Sequence, residues 1–360
     1  MSSESNFRDP RQRRPVALDE EPFAGLSPDV ILNAIDVALE AGGPLGRART
    51  SGQVLALNSY ENRVFQVGLE TAAAQQLAAP VVAKFYRPRR WTDVQILEEH
   101  AFLEELVQAE VPAVPAVRCG GRTLHHAGGF RFAIFERKGG RTPELSDPSV
   151  RERIGRFLGR MHAVGRRTPF QARGRLDVQT FGAEPSAYLL DHNWLPPELS
   201  PIYRDLVEQA LEQVRLAFVR AAPTDLQRVH GDCHPGNLLW NEYAAEPGPL
   251  FVDFDDCCMA PAVQDLWMLL SGDSLEMAKQ LRDVLRGYEL FASFDAKQLA
   301  LIEPLRTLRL IHYAAWIARR WRDPAFPAAF PWFREPRYWE ERILELREQL
   351  AAMQEAPLEL

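Results

Sequence analysis

The stretch VHGDCHPGNLLW, Val229 to Trp240, puts two histidines, an aspartate, a cysteine and an asparagine within a dozen residues. Such a set can serve a metal ion, a thiol nucleophile or the movement of a phosphoryl group, and each use makes different demands on the rest of the chain. Structural zinc takes four ligands delivered as short-spaced pairs. Here Cys233 and His234 are adjacent, and Cys257 and Cys258 are vicinal, which is poor geometry for converging on one ion. A thiol nucleophile needs an oriented base. Cys233 has only its neighbour His234, and nothing marks a third group, so it reads as a small semi-buried thiol. His230, Asp232 and Asn237 instead give H-x-D-x-x-x-x-N, the spacing of a loop in which an aspartate handles the acceptor proton and an asparagine holds a metal.

Phosphoryl transfer also requires a second metal-binding carboxylate, and a lysine on the phosphates that is itself held by a glutamate. In LFVDFDD (Leu250–Asp256) an apolar run ends in acid, and Asp253 stands where a carboxylate can face a cleft while its strand anchors it. In PVVAKFYRP (Pro80–Pro88), Lys84 interrupts an apolar strand, matching V-A-I-K. A lone lysine there also suits an edge strand guarded against aggregation. However, the following segment TDVQILEEHAFLEELVQAE (Thr92–Glu110) supplies Glu98 and Glu99 as partners. Register favours Glu99, on a line continuing through Leu103 and Leu106; Glu98 is the alternate.

These residues sit in a chain that changes character midway. SPDVILNAIDVALEAGG predicts a helix with Ser27 as N-cap, Pro28 in its first turn, an apolar face and a stop at Gly42. VLALNS, RVFQVGL and PVVAKFYRP read as an antiparallel meander, and VPAVRCGG, RTLHHAGG and FRFAIFER as further strands. Between them, Val94, Ile96, Leu97, Phe102, Leu103 and Leu106 form the apolar stripe of a helix capped by Thr92 or Asp93. After GGRTPELSD the pattern is helical: 150–165, 202–221, 263–291, 297–321 and 338–354, with PAFPAAFPWFREP (324–336) as a loop. The expected fold class is therefore α+β, with a small β-rich lobe followed by a larger, mostly helical one. The segment 1–24, polar and proline-rich, is expected to be loosely attached.

At 360 residues, with 46% hydrophobic and 25% charged residues, the chain suits a folded soluble protein of one large core or two lobes. A net charge of −7 argues against a nucleic-acid binder working through bulk positive charge. No apolar run approaches the ~20 residues of a membrane helix. The N-terminus lacks a signal-like apolar stretch. The four cysteines, Cys119, Cys233, Cys257 and Cys258, read as free thiols of a reducing compartment.

The motif set resembles the aminoglycoside phosphotransferase/choline kinase branch of the protein-kinase-like fold. It resembles more closely the bacterial stress response kinase A family of serine/threonine protein kinases. LNSYENRVFQV, VVAKFYRPRRWTDVQILEEHAFLEELV, VHGDCHPGNLLW, FVDFDD, PAVQDLWMLLSGD and IEPLRTLRLIHYAAWIARRWRDPAFP carry the likeness, from about residue 54 to about 335. The resemblance implies a bilobal fold with an N-lobe over 25–138, a C-lobe over 139–360 and a nucleotide cleft between them. It implies Asp232 as proton acceptor, Asn237 and Asp253 as Mg2+ ligands, and Lys84 on the α/β-phosphates paired with Glu99. Ser59 would lie in the loop over the phosphates, and backbone groups from Glu136 to Lys138 would take the adenine edge of ATP. The implied protein is a cytoplasmic, monomeric, ATP-dependent kinase acting on serine or threonine of a protein in a stress response, without nucleic-acid or membrane partners. A small-molecule kinase of the same fold is the alternative, and a non-catalytic nucleotide-binding module is a third possibility that the complete motif set disfavours.

Departures from the wider kinase pattern carry consequences. Asn58–Asn62 replaces a G-x-G-x-x-G loop, Asp253-Phe254-Asp255 replaces Asp-Phe-Gly, and Pro261 follows too soon for a long activation loop. His234 either contacts the γ-phosphate or braces Asp232, and Asp265 either bonds the catalytic-loop backbone or is a plain buried acid. Trp316, Trp321, Trp332 and Trp339 are expected in the core and between lobes. Arg89-Arg90 and Arg319-Arg320 are expected on solvated faces.

Overall fold

A computed structural model describes residues 21–46, 48–71, 77–222, 224–242 and 247–360. Ser27 caps α1 (Pro28–Glu40) by accepting from the Val30 N–H, and the helix buries Ile31, Ala34, Ile35, Ala38 and Leu39, as the periodicity predicts. That face covers an antiparallel sheet of β1 (Ala48–Ala56), β2 (Arg63–Thr71), β3 (Leu77–Phe85), β4 (His125–Ala127) and β5 (Phe130–Glu136), in the order β1-β2-β3-β5-β4. Most of the expected loose segment, residues 1–20, lies outside the described residues. Its end is not loose: Phe23 is buried and stacks on Phe130, with the Arg63 guanidinium over its ring.

Two strand expectations fail for a backbone reason. VPAVRCGG forms no strand but an extended run with isolated bridges, Ala116 to Phe135 and Cys119 to Arg122; Pro115 lacks the donor a ladder requires. RTLHHAGG shrinks to the three residues of β4 because Gly128 and Gly129 turn back with φ of +57° and +82°. VLALNS likewise ends early: β1 stops at Ala56, which frees Asn58–Asn62 to form a loop over the cleft.

The lobes are joined through α2 (Asp93–Gln108), which opens with a reciprocal Thr92–Gln95 capping box. Its buried residues are Ile96, Glu99, His100, Phe102, Leu103 and Leu106. Val94 and Leu97, expected on the stripe, are exposed because the inward face takes two polar residues, Glu99 and His100, in their stead. Phe102, Leu103 and Leu106 enter the large core of the helical lobe, while Ile96 packs under the sheet. One helix therefore fixes the distance between the two halves.

The helical lobe contains α3 (Pro148–Gly165), α4 (Glu184–Asp191), α5 (Ser200–Arg220), α6 (Val263–Trp267), α7 (Ser274–Tyr288), α8 (Ile302–Arg319), α9 (Ala325–Ala329) and α10 (Pro336–Ala352). The helix expected over 263–291 is broken in two around Gly272, whose φ is +90°. The expected loop 324–336 holds α9 and a single 3₁₀ turn, Pro331–Arg334. Two antiparallel pairs flank the Val229–Trp240 and Leu250–Asp256 motifs: β6 (Gln227–Val229) with β9 (Cys258–Ala260), and β7 (Leu238–Asn241) with β8 (Gly248–Phe251).

Helices α3 and α7 approach at backbone contact. A Cβ on Gly155 would lie 1.9 Å from the Val284 carbonyl oxygen, one on Gly159 2.3 Å from that of Tyr288, and one on Gly287 1.9 Å from that of Glu152. This seam sets where His162 of α3 and Tyr288 of α7 meet, 2.9 Å apart, beneath the catalytic-type loop. Forcing a methyl into a packed helix contact costs roughly 1–3 kcal/mol or more. Gly155→Ala is expected at the upper end of that range by chemical denaturation. Gly174→Ala, where a Cβ meets nothing within 4 Å, is expected to shift stability by less than about 0.5 kcal/mol.

Candidate active site

The loop after β6 is built from the core outward. Asp265, fully buried on α6, accepts the backbone N–H of His230 at 2.7 Å and of Gly231 at 2.9 Å, and lies 3.0 Å from His162 Nε2. This is the loop-orienting role that the sequence left as one of two readings for Asp265. Gly231 has φ +86°, and a Cβ there would sit 2.2 Å from the Asp256 carbonyl oxygen, so glycine alone fits. His230 donates from Nε2 to the Val252 carbonyl at 2.9 Å and accepts the Asp232 N–H at Nδ1, 3.3 Å, which makes it a loop organiser.

Asp232 emerges from this support with both oxygens engaged. Asn237 Nδ2 donates to its carbonyl at 2.9 Å and reaches Oδ2 at 3.4 Å. Arg309 of α8 pairs with Oδ1 at 2.5 Å, and His234 Nε2 lies 3.5 Å from Oδ2. His234 Nδ1 accepts the Gly236 N–H at 3.0 Å, which turns Nε2 towards Asp232. Burial opposes ionisation of Asp232, but the His234 bond and the Arg309 guanidinium outweigh it and hold the carboxyl well below the usual carboxylate range.

Lys84 is 7% exposed at the far side of the same cleft. Its ammonium lies 2.9 Å from Asp255 Oδ1, 3.4 Å from Asp253 Oδ1 and 3.5 Å from Glu99 Oε1. Burial alone would discharge it, yet Asp255, Glu99 and Asp253 together raise its pKa well above the ordinary value. The choice between the two glutamates resolves to Glu99. Glu98 faces the other way and gathers the backbone N–H groups of Gln171, Ala172 and Arg173 at 2.7–3.0 Å. Asp253 has φ +62° and a half-exposed carboxylate, a left-handed conformation aspartate tolerates better than most residues.

A cleft of about 420 Å³ brings Ser59, Lys84, Glu99, Glu136, Lys138, Asn237 and Asp253 together, with Asp232 one hydrogen bond beyond Asn237. Its inner wall is apolar, including Val64, Val82, Phe135 and Leu239. Glu136 ends β5 and its side chain pairs outward with Lys138 at 2.6 Å, so the backbone of this hinge is what faces the wall. Gly140 lets the hinge close on β7, where a Cβ would lie 2.8 Å from the Leu239 Cβ. As to metal, no three acidic, histidine or cysteine side chains form a self-sufficient cage among the described residues. Asn237 and Asp253, two oxygen donors beside open space, suit a magnesium ion that completes its shell with phosphates and water. All four cysteines are free and buried, and burial pushes the Cys233 thiol up, which agrees with a bystander.

The sequence reading missed a set of charged partners. Arg90 is half-buried, not solvated; it pairs with Asp255 and with Asp256, the latter at 2.5 Å. Arg320 is likewise half-buried, paired with Glu61, whose other contacts are Arg87 at 2.9 Å, Arg90 at 3.6 Å and the Trp316 indole at 2.6 Å. Asp323, 1% exposed, binds Arg63 at 2.7 Å and Arg87 at 2.6 Å. These ties pull the Asn58–Asn62 loop down onto the helical lobe. Arg89 and Arg319 keep nearer to expectation, Arg319 lying over the Tyr188 ring. Trp339 is fully buried, whereas Trp332 is 38% exposed.

Comparison with known proteins agrees with this geometry. Residues 53–302 match the family described as phosphotransferase enzyme family. Stress response kinase A of Escherichia coli is 42% identical over 338 residues, 94% of this chain and 97% of that protein. Serine/threonine protein kinase RdoA of Salmonella typhimurium is 40% identical over the same shares. Among solved structures, amicoumacin kinase hAmiN in complex with AMP-PNP, Ca2+ and Ami superposes with a TM-score of 0.63 at 17% identity, covering 86% of this chain and 90% of that one.

His100, next to Glu99, is buried between the Tyr86 hydroxyl at 2.8 Å and Thr123 Oγ1 at 2.9 Å. Burial and the nearby Lys84 push its pKa down to about 3. His312, stacked on Phe181, is pushed to about 3 by burial and Arg320. Both stay neutral in the folded state while the unfolded chain protonates them near 6.5. The stability they contribute is therefore present above about pH 6.5 and is lost as pH falls towards 3, by at most about 1.4 kcal/mol per pH unit for each histidine. Urea midpoints should fall between pH 7 and 5, and the double variant His100→Gln/His312→Gln should flatten that decline.

Proposed function

The chain belongs to the phosphotransferase enzyme family, and from that premise we propose that it transfers the γ-phosphoryl group of Mg-ATP to serine or threonine hydroxyls of proteins in a bacterial stress response. The observation that carries this reading is the likeness, at 40% identity over 94% of the chain, to a serine/threonine protein kinase, alongside a cleft in which the charged residues described above converge. Four free, buried cysteines accord with a reducing cytoplasm as the place of action.

In this mechanism the apolar wall and the backbone from Glu136 to Lys138 take the adenine. Ser59 and its loop amides cover the phosphates, and Lys84 is aimed at them by Asp255 and Glu99. Asn237 and Asp253 would hold the magnesium, which when bound neutralises charge on the phosphates. Asp232 accepts the hydrogen bond of the acceptor hydroxyl and aligns its oxygen with the γ-phosphorus. Its depressed pKa fits steering better than strong proton abstraction, which a loose phosphoryl-transfer transition state demands little of. A small-molecule kinase is the second reading. Arg309 beside Asp232 disfavours its commonest form, a cationic acceptor, because the two positive charges would meet.

The test is transfer of labelled phosphate from Mg-ATP to protein pools and, separately, to aminoglycosides, amino alcohols and sugars. Label on serine or threonine of protein is expected; label on small molecules alone would replace the reading with the second. Asp232→Asn should lower kcat by roughly 10²–10⁴-fold while nucleotide affinity changes by less than about twofold. Asp253→Ala should weaken magnesium-dependent ATP binding; equal loss of binding and turnover in both variants would contradict the roles assigned.

A further inference from the structure

At the acceptor end of the cleft an arginine from α8 sits directly on the aspartate that a hydroxyl must approach. Asp232 has two carboxylate oxygens. Oδ2 faces Asn237 at 3.4 Å and His234 at 3.5 Å, and Oδ1 is held by Arg309 at 2.5 Å. An acceptor hydroxyl must come within about 2.6–3.2 Å of one of them. Oδ2 is flanked by two side chains of the same loop, whereas Oδ1 is blocked by a single long side chain, 42% exposed, reaching across from α8. Arg309 is thus the group that an acceptor hydroxyl docking at Oδ1 meets.

Drawing a guanidinium off a half-buried carboxylate is costly unless the guanidinium finds another anion. A carboxylate beside the acceptor hydroxyl offers one, in the planar, two-pronged geometry that arginine favours. A basic side chain at that place would instead meet the Arg309 guanidinium. We propose that Arg309 is a specificity-determining residue that selects serine or threonine acceptors flanked by aspartate or glutamate, releasing Asp232 as it pairs with the flanking acid. The inference rests on the protein-kinase reading above and names its substrate class.

The experiment compares kcat/KM of the purified full chain on serine peptides that differ only in acidic, neutral or basic flanks. Wild type should prefer acidic over neutral flanks by roughly five- to tenfold, with basic flanks below both, and the preference should shrink as salt is raised. Arg309→Gln should bring the acidic-to-neutral ratio close to one, and Arg309→Glu should turn the preference towards basic flanks, an inversion that loss of a merely structural arginine would not produce. Arg309→Lys, which retains the charge, should retain the preference. Peptide phosphorylation by wild type without acid preference, or a preference that survives in Arg309→Gln, overturns the assignment and leaves the kinase reading intact. If wild type labels small molecules and no peptide, the kinase reading fails and this inference fails with it. The salt dependence of the wild-type preference provides a readout even where a variant does not fold.

Discussion

The structure depends on a lysine that is buried between the lobes and has to remain charged. Lys84 comes from the centre of the sheet, and its three acids come from two places: Glu99 on α2, and Asp253 and Asp255 on the segment after β8. An ammonium removed from water is stable only if its partners are close and are themselves satisfied. That requirement propagates. Asp255 needs Arg90, and Glu99 needs Arg173, whose guanidinium lies 2.8 Å from Glu99 Oε2 and also donates to the carbonyls of Asp255 and Cys257. The charges form a closed chain through sheet, α2 and the segment after β8, so the position of the ammonium is determined by all of them together.

The two sides of the cleft are rigid for different reasons. Below, Asp232 stands on a buried relay of Tyr288, His162 and Asp265, and that relay stands on a glycine seam with no space for a methyl. Above, the covering loop has none of the glycines that usually let such a loop hug phosphates. It is shaped by side chains: Asn62 Oδ1 accepts the Arg87 N–H at 3.0 Å, Arg87 NH2 donates to the Tyr60 carbonyl at 3.1 Å, and the Tyr60 ring lies 5.3 Å from that of Phe330.

What was legible in the sequence was whatever a short window encodes. Lys84 breaking an apolar strand, Asp232 and Asn237 five apart, and Asp253 after an apolar run are local patterns, and the structure gathers all of them at one cleft. The face of α1 was legible for the same reason. The arginines were not, because a paired arginine and a solvated one look alike in sequence; Arg90 and Asp255 are 165 residues apart, and Arg309 and Asp232 are 77 apart. The stripe of α2 misled at Val94 and Leu97 because Glu99 and His100 are buried by specific partners, Lys84 and Arg173 for one, Tyr86 and Thr123 for the other. Composition alone ranks such residues as surface. The proline in VPAVRCGG carried its own warning, which apolar content overrode.

The ties between the covering loop and the helical lobe redraw the mechanical map of the molecule. Glu61 is fastened to Trp316 and Arg320, and Arg63 and Arg87 to Asp323. The division in sequence falls at the hinge after β5, but the body that travels with the sheet is not bounded there. Any opening at the phosphate end must either break these contacts at once or carry the end of α8 and the start of α9 along with the sheet. Under the proposed function, entry and exit of a nucleotide would be coupled to α8, the same helix that carries Arg309.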